Sequence, residues 1–243
     1  MSSKRARKHV IAWLCGAGIV AALGIGLGSR TADAEPAFAV PVPLVDQSSG
    51  KAGVSESVIL AGGCFWGVQG VFQHLDGVTS AVSGYAGGDR ADATYSAVSA
   101  GRTAHAEAVR ITFDPRRISY GRILQVYFSV AHDPTQLNRQ GPDSGRQYRS
   151  AIFPAGDEQA RVARAYIDQL DAANVFRAKI ATTIEPDRLF HPAEAYHQNF
   201  MTAHPNHPYI VINDLPKIEE LRRLFPDQYR AAPALVADVR TGH

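Results

Sequence analysis

The chain has 243 residues, 45% of them apolar and 20% charged, with a formal net charge of +2. That length and balance predict a packed core in one sizeable domain or two small ones. Residues 1–34 hold five basic side chains (Lys4, Arg5, Arg7, Lys8, Arg30) and one acidic (Asp33), which leaves 20 basic and 22 acidic groups elsewhere. A nearly neutral body excludes the basic surface of a nucleic-acid-binding protein.

The N-terminus explains the charge imbalance. Residues 1–9 are basic, residues 10–27 are an almost unbroken apolar run, and Ala32-Asp33-Ala34 has the small-x-small pattern of a signal-peptidase site. The expectation is a signal peptide over 1–34, cleaved after Ala34, and export to the periplasm. An uncleaved membrane anchor is the alternative, because the apolar run is close to spanning length. Trp13 and Leu14 are too bulky to precede a lipoprotein processing site at Cys15, and twin arginines are absent. Cys15 is lost with the signal segment, which leaves Cys64 as the single cysteine and allows no internal disulfide.

Residues 35–55, rich in Ala, Pro, Val and Ser, are expected to form a flexible leader to a domain over 56–230, with a tail at 231–243. Hydrophobic periodicity then predicts a strand over 57–62, a helix over 64–75, a strand over 78–85 and a short helical turn over 94–99. A strand over 105–113 stops at Asp114-Pro115, and a helix over 120–131 has Ser119 as its N-cap. A polar loop over 132–148 leads to a strand over 149–153, a helix over 157–174 and a last strand over 178–184. The tail carries helical patches over 193–202 and 218–224. The opening β-α-β-β-α-β order predicts an α/β (α+β) two-layer sandwich, a mixed sheet with a split βαβ, ferredoxin-like core and helices mainly on one side.

Chemistry concentrates in Gly62-Gly63-Cys64-Phe65-Trp66-Gly67, where a strand turns into a helix. Cys64 falls in the first helical turn, whose unpaired N–H groups favour a thiolate and predict a lowered pKa. Phe65 and Trp66 set apolar surface beside it. Period-two alternation puts His105, Glu107, Val109, Ile111 and Phe113 on one face, so Glu107 sits on an apolar face, where burial would raise its pKa and make it a proton donor. A strand-end carboxylate paired with Arg102 or Arg149 is the equal alternative. The loop over 132–148 is long for a connector and offers Asp133, Asp143 and Tyr148. Tyr85 and Tyr95 flank the Gly87-Gly88 loop, and residue type does not choose between them. His204-x-x-His207 lacks a third ligand at metal spacing, so no metal site is expected.

Several long motifs in order resemble the peptide-methionine (S)-S-oxide reductases, the A-type methionine sulfoxide reductase family. They are Gly63-Cys64-Phe65-Trp66-Gly67, Gly84-Tyr85-Ala86-Gly87-Gly88, Thr94-Tyr95-Ser96-Ala97-Val98, His105-Ala106-Glu107, His132-Asp133-Pro134-Thr135, Asn138-Arg139-Gln140-Gly141 and Gln147-Tyr148-Arg149-Ser150. The resemblance implies Cys64 as the nucleophile on the sulfoxide sulfur and Glu107 as the acid on its oxygen. It implies Tyr95, in preference to Tyr85, and Tyr148 as ligands of that oxygen, Asp143 as an orienting group, and Phe65 and Trp66 as the substrate-binding pocket for the S-methyl group. It further implies no cofactor beyond an external thiol, a thioredoxin-like or small-thiol donor. The substrates it implies are free methionine sulfoxide or oxidised methionine in proteins, acted on by a monomer. Many family members carry resolving cysteines in the C-terminal half; here that half has none, so direct reduction of a Cys64 sulfenic acid from outside is expected. A one-cysteine thiol peroxidase and a binding protein with a structural thiol are the rival readings.

Overall fold

Strand β1, Glu56–Gly62, alternates so that Val58 and Leu60 face one side of a sheet while Ile59 and Ala61 face the other. It is the centre from which the rest of the domain is laid out. The computed structural model describes residues 37–47, 54–186 and 189–237. The expected signal segment over 1–34 and its cleavage site lie outside the described residues, as do parts of the expected leader and tail.

On one edge β1 pairs antiparallel with β3 (Ala106–Phe113), placing Leu60 opposite Val109. On the other it pairs antiparallel with β6 (Ser150–Phe153), placing Gly62 opposite Ser150. Strand β2 (Val78–Ala86) pairs antiparallel with β3, setting Tyr85 opposite Glu107. Helix α1 (Phe65–Gln73) links β1 to β2, and α3 (Tyr120–Val126) lies between β3 and β6. Each pair of strands joined through a helix is separated by one inserted strand, which is the split βαβ arrangement read from the sequence. Two short edge strands complete the six-stranded order β7-β6-β1-β3-β2-β8: β7 (Thr183–Ile184), parallel to β6, and β8 (Phe190–Pro192), antiparallel to β2. The sheet is therefore mixed.

One face of the sheet carries the large residues. Val58, Leu60, Val109, Ile111, Phe113 and Ile152 pack against Val68, Val71 and Phe72 of α1, Ile123 and Leu124 of α3, and Val162, Tyr166 and Leu170 of α4 (Asp157–Ala172). Burying each such side chain contributes about 1.5–3 kcal/mol relative to leaving it in water, so this face anchors the helices. The other face is lined by Ala61, Ala86, Ala106, Ala108 and Ala151 with Ile59 and Phe153, and Phe190 of β8 packs on it.

The Ser119 hydroxyl caps α3 by accepting from the Arg122 N–H at 3.2 Å, as expected. The helix then widens into a π turn over Tyr127–Ala131. The expected strand over 178–184 is ordered as strand only at Thr183–Ile184. Strand β8 was not foreseen: it is three residues long and ends in Pro192, a residue tolerated at a sheet edge because its missing N–H faces no partner. The tail patch over 193–202 divides into a 3-10 turn, Ala195–His197, and α5, Phe200–Ala203, separated by Asn199 at φ 57°. A π turn, Ile210–Asp214, runs directly into α6, Leu215–Leu224.

The expectation of a flexible leader fails over residues 37–47, which form an extended strap on α3 and α4. Val40 is buried; its N–H donates to Ser129 Oγ at 3.1 Å and its carbonyl accepts from Gln125 Nε2 at 2.6 Å. The carbonyls of Pro41 and Val42 accept from the Tyr166 hydroxyl and Gln169 Nε2 at 2.6 and 2.9 Å. Asp46 accepts from the Ser119 hydroxyl and the Gly121 N–H at 2.5 and 2.7 Å. A proline-containing chain lacks helix and ladder partners, and here polar side chains of the helices satisfy it instead.

Candidate active site

The turn after β1 is set by two close approaches. Gly63 has φ +88°, and a Cβ there would stand 2.5 Å from Gln140 Cβ, so only glycine can carry the chain off the sheet at this point. At Gly67 a Cβ would lie 2.1 Å from Asp214 Oδ1 and 2.7 Å from Lys217 Nζ. That glycine lets a carboxylate–ammonium pair (3.2 Å) come up against the first turn of α1. Between the two glycines, Cys64 is the N-cap of α1. Its side chain makes no capping bond. The orphan N–H of Phe65 instead donates to Glu107 Oε2, 3.1 Å away across the sheet.

A buried polar network holds this turn from below. The Tyr127 hydroxyl donates to the Ala61 carbonyl at 2.6 Å, and Ser150 Oγ lies 2.7 Å from both His132 Nε2 and Thr182 Oγ1. His132 Nδ1 faces the Tyr127 carbonyl at 3.1 Å, so Nδ1 carries the proton and Nε2 accepts from Ser150. Burial holds the His132 pKa down at about 3, which keeps this ring neutral.

Glu107 is 2% exposed, and burial pushes its pKa up to about 8 against the pull of the Phe65 N–H, with Asp143 adding a smaller push. It is therefore a protonated acid at neutral pH. The Cys64 thiol is also pushed up, first by burial and then by Glu107, Asp214 and Asp143. This corrects the expectation of a lowered thiol pKa. The helix-end effect is present, since the Trp66 N–H pulls the thiol down, but burial and three carboxyl groups outweigh it.

The structure also separates the two candidate tyrosines. Tyr85 is fully buried and its hydroxyl donates to Glu194 Oε2 at 2.8 Å. Tyr95, at the start of α2 (Tyr95–Ser99), is partly exposed, and its pKa is raised by burial, Glu107 and Cys64. Its N–H donates to Glu194 Oε1 at 2.9 Å, so one carboxylate ties both tyrosines together. Tyr148, partly exposed, is raised by burial and then by Glu107, Asp143 and Cys64. Asp143, in a two-stranded ribbon of β4 (Arg139–Gln140) and β5 (Asp143–Ser144), accepts from the Tyr209 hydroxyl.

The two aromatics after Cys64 differ in exposure. Phe65 is fully buried, its ring 5.0 Å from His197 and 5.9 Å from Tyr85. Trp66 is partly exposed and stacks on Phe200 at 3.7 Å, with its N–H donating to His197 Nδ1 at 3.2 Å. His207 and Tyr209 meet the same indole edge-on at 6.0 and 5.9 Å. Cys64, Glu107, Tyr95, Tyr148 and Asp143 thus feel one another electrostatically, with Trp66 beside the thiol. Asp214, Tyr209, Glu194 and His197 join them without having been foreseen. Among the described residues no group of three possible metal ligands stands together.

A cysteine beside a carboxyl group that keeps its proton near neutral pH suits thiol chemistry assisted by an acid, and the relatives of this chain place it among the oxidoreductases. The chain belongs to the peptide methionine sulfoxide reductase family, whose model matches residues 56–229. Peptide methionine sulfoxide reductase MsrA 2 of Mesorhizobium japonicum is 62% identical over 182 residues, covering 75% of this chain and 93% of its own length. The protein of the same description in Synechocystis sp. is 48% identical over 194 residues, with 79% and 91% covered. Among solved structures, Mxr1 from Saccharomyces cerevisiae in reduced form superposes with a TM-score of 0.59 at 31% identity, covering 65% of this chain and 90% of that one. Methionine sulfoxide reductase A of Corynebacterium diphtheriae gives 0.53 at 32% identity, covering 72% and 87%. The activity that goes with this membership is reduction of methionine sulfoxide.

Proposed function

We propose that Cys64 reduces methionine S-sulfoxide, free or within proteins, through a sulfenic acid. The observation that carries the proposal is the Glu107 carboxyl group, which binds the N–H next to Cys64 and holds its proton near pH 7. A sulfoxide sulfur is a poor electrophile until its oxygen is protonated. Glu107 gives its proton to that oxygen as the Cys64 sulfur attacks, and the carboxylate so formed recovers the thiol proton. The methionine S–O bond then breaks as its protonated oxygen passes to the Cys64 sulfur, so methionine leaves with both electrons of that bond. Cys64 is oxidised to the sulfenic acid CysS–OH, and atoms and protons balance within the site. Tyr95 and Tyr148 donate to the oxygen, Asp143 is held by Tyr209 to orient the substrate, and Trp66 receives the S-methyl group with Phe65 packed behind it.

The returning electrons come from a thiol outside the chain, of thioredoxin type or a small molecule, because Cys64 is the sole cysteine once residues 1–34 are removed. The basic, apolar and Ala-x-Ala pattern of those residues supports export to the periplasm and a role there in repairing oxidised exported proteins. The test is single-turnover reduction of separate S and R methionine sulfoxides without reductant. One equivalent of methionine from the S epimer alone, with a mass gain of one oxygen on Cys64, is expected. Cys64→Ser should abolish it; methionine release by that variant would sink the assignment.

A further inference from the structure

Glu107, Tyr95 and Tyr148 feel Cys64 electrostatically and Trp66 follows it in the chain, yet the cavity that reaches this residue is lined by other groups. A cavity of about 470 Å³ has Cys64 on its wall and runs past Gln140, Tyr209 and Lys217 to Phe38 and Phe176, whose rings stand 5.7 Å apart. None of the four acid-side or pocket groups lines it. Its far wall includes Ala37 and Phe38 of the N-terminal strap, which lies outside the matched family region of 56–229. The strap end is fixed there because the Ala37 carbonyl accepts from an Arg223 guanidinium N–H at 2.8 Å.

We propose that this cavity admits the recycling reductant, a low-molecular-weight thiol the size of cysteine or a cysteinyl tripeptide, to the Cys64 sulfur. The inference rests on the sulfenic acid chemistry above. The volume falls in the range of small-molecule sites, roughly 300–1,000 Å³, whereas a protein reductant docks over an outer surface, of up to about 600 Å² per partner for a transient redox encounter. Displacement at sulfur proceeds with the incoming thiolate away from the departing oxygen. The oxygen would lie with Glu107 and the tyrosines, so a separate entrance leaves the sulfur open to attack. The first thiolate forms a mixed disulfide on Cys64 as the S–O bond breaks, and the oxygen leaves as water with a proton from Glu107. A second thiol attacks the mixed disulfide, releasing the oxidised thiol dimer and restoring Cys64. Two thiols are oxidised, one sulfenic acid is reduced and one water forms.

Ala178 is an exposed residue on the cavity wall, so Ala178→Trp narrows the cavity without disturbing the core. With cysteine and then glutathione as probes, Ala178→Trp should cut recycling of pre-oxidised enzyme at least tenfold while the reductant-free methionine burst stays at one per chain. Phe38→Ala, which widens the mouth, should raise KM for the thiol several-fold with the burst again unchanged. Unchanged recycling in both variants overturns the proposal, as does a lost burst, which would assign the cavity to the sulfoxide. Thioredoxin turnover that falls as steeply as glutathione turnover in Ala178→Trp overturns the small-thiol assignment. Absence of any burst in the unaltered protein overturns the sulfenic acid reading itself and is thereby distinguished from failure of the cavity.

Discussion

Glu107 and Asp214 are two buried carboxyl groups that raise the Cys64 thiol, and they are held in unlike ways. Among the described residues Glu107 forms no ion pair; its partner is the Phe65 N–H at 3.1 Å. Asp214 is completely buried too and burial raises its carboxyl, but Lys217 Nζ stands 3.2 Å from its Oδ1 and pulls the pKa part of the way back. A carboxyl group denied a cation keeps its proton and can deliver it. A carboxyl group given an ammonium is drawn toward the charged form and acts through its field. The difference between proton donor and field source lies in the partner, since both groups are buried.

The contrast predicts unequal consequences for substitution. Glu107→Gln keeps an acceptor for the Phe65 N–H but has no acid proton, so single-turnover methionine release should slow by about 10²–10⁴-fold. In the unaltered protein the rate should fall as pH rises through about 8, where the acid form is lost. That limb should disappear in Glu107→Gln. An unchanged rate would reduce Glu107 to a cap on α1 and erase the contrast. Asp214→Asn removes a charge that raises Cys64, so the pH midpoint for alkylation of the thiol should move down, while methionine release stays within about tenfold, as expected for a group that transfers no proton. A midpoint that did not move would show that Asp214 is not a field source.

Smaller effects sharpen the same comparison through stability. Gly67→Ala drives a methyl group into the Asp214–Lys217 pair and should cost about 1–3 kcal/mol in denaturant titration. A further effect on stability is the pH slope of Glu107. Its folded pKa is raised, so the folded form binds the extra proton. Its contribution is complete below the ordinary carboxylate range and is lost as pH rises to about 8. Thermal unfolding between pH 5 and pH 9 should show this loss, and Glu107→Gln should flatten it.

Much of the sheet was legible because its signals are local. Val58 and Leu60, then Glu107, Val109, Ile111 and Phe113, alternate as strands with one buried face, and Val68, Val71 and Phe72 recur at helical spacing. Ser119 announces its helix by residue type. The parts that were not legible depend on distant partners. Strand β8 is defined by pairing with Gly84–Ala86 more than a hundred residues earlier in the chain, and its Phe-His-Pro sequence says nothing of this. The strap over residues 37–47 looks like a linker until Gln125, Tyr166 and Gln169 meet its carbonyls. Tyr209 reaches Asp143 across a separation of 66 residues, and Asp214 finds its place only through the missing side chain of Gly67. The thiol pKa shows the limit most directly: a helix-end rule reads the Trp66 N–H correctly but has no access to Glu107, Asp143 or Asp214.

Trp66 has a further consequence. The sequence contains two tryptophans, Trp13 and Trp66, and a chain lacking residues 1–34 keeps Trp66 alone. Its indole stacks on Phe200, donates to His197 and stands beside the thiol. A chain so shortened would carry a single tryptophan, placed where the proposed chemistry brings a methyl group and changes the oxidation state of the neighbouring sulfur. Emission from the unlabelled protein would report occupancy and redox state from a single address.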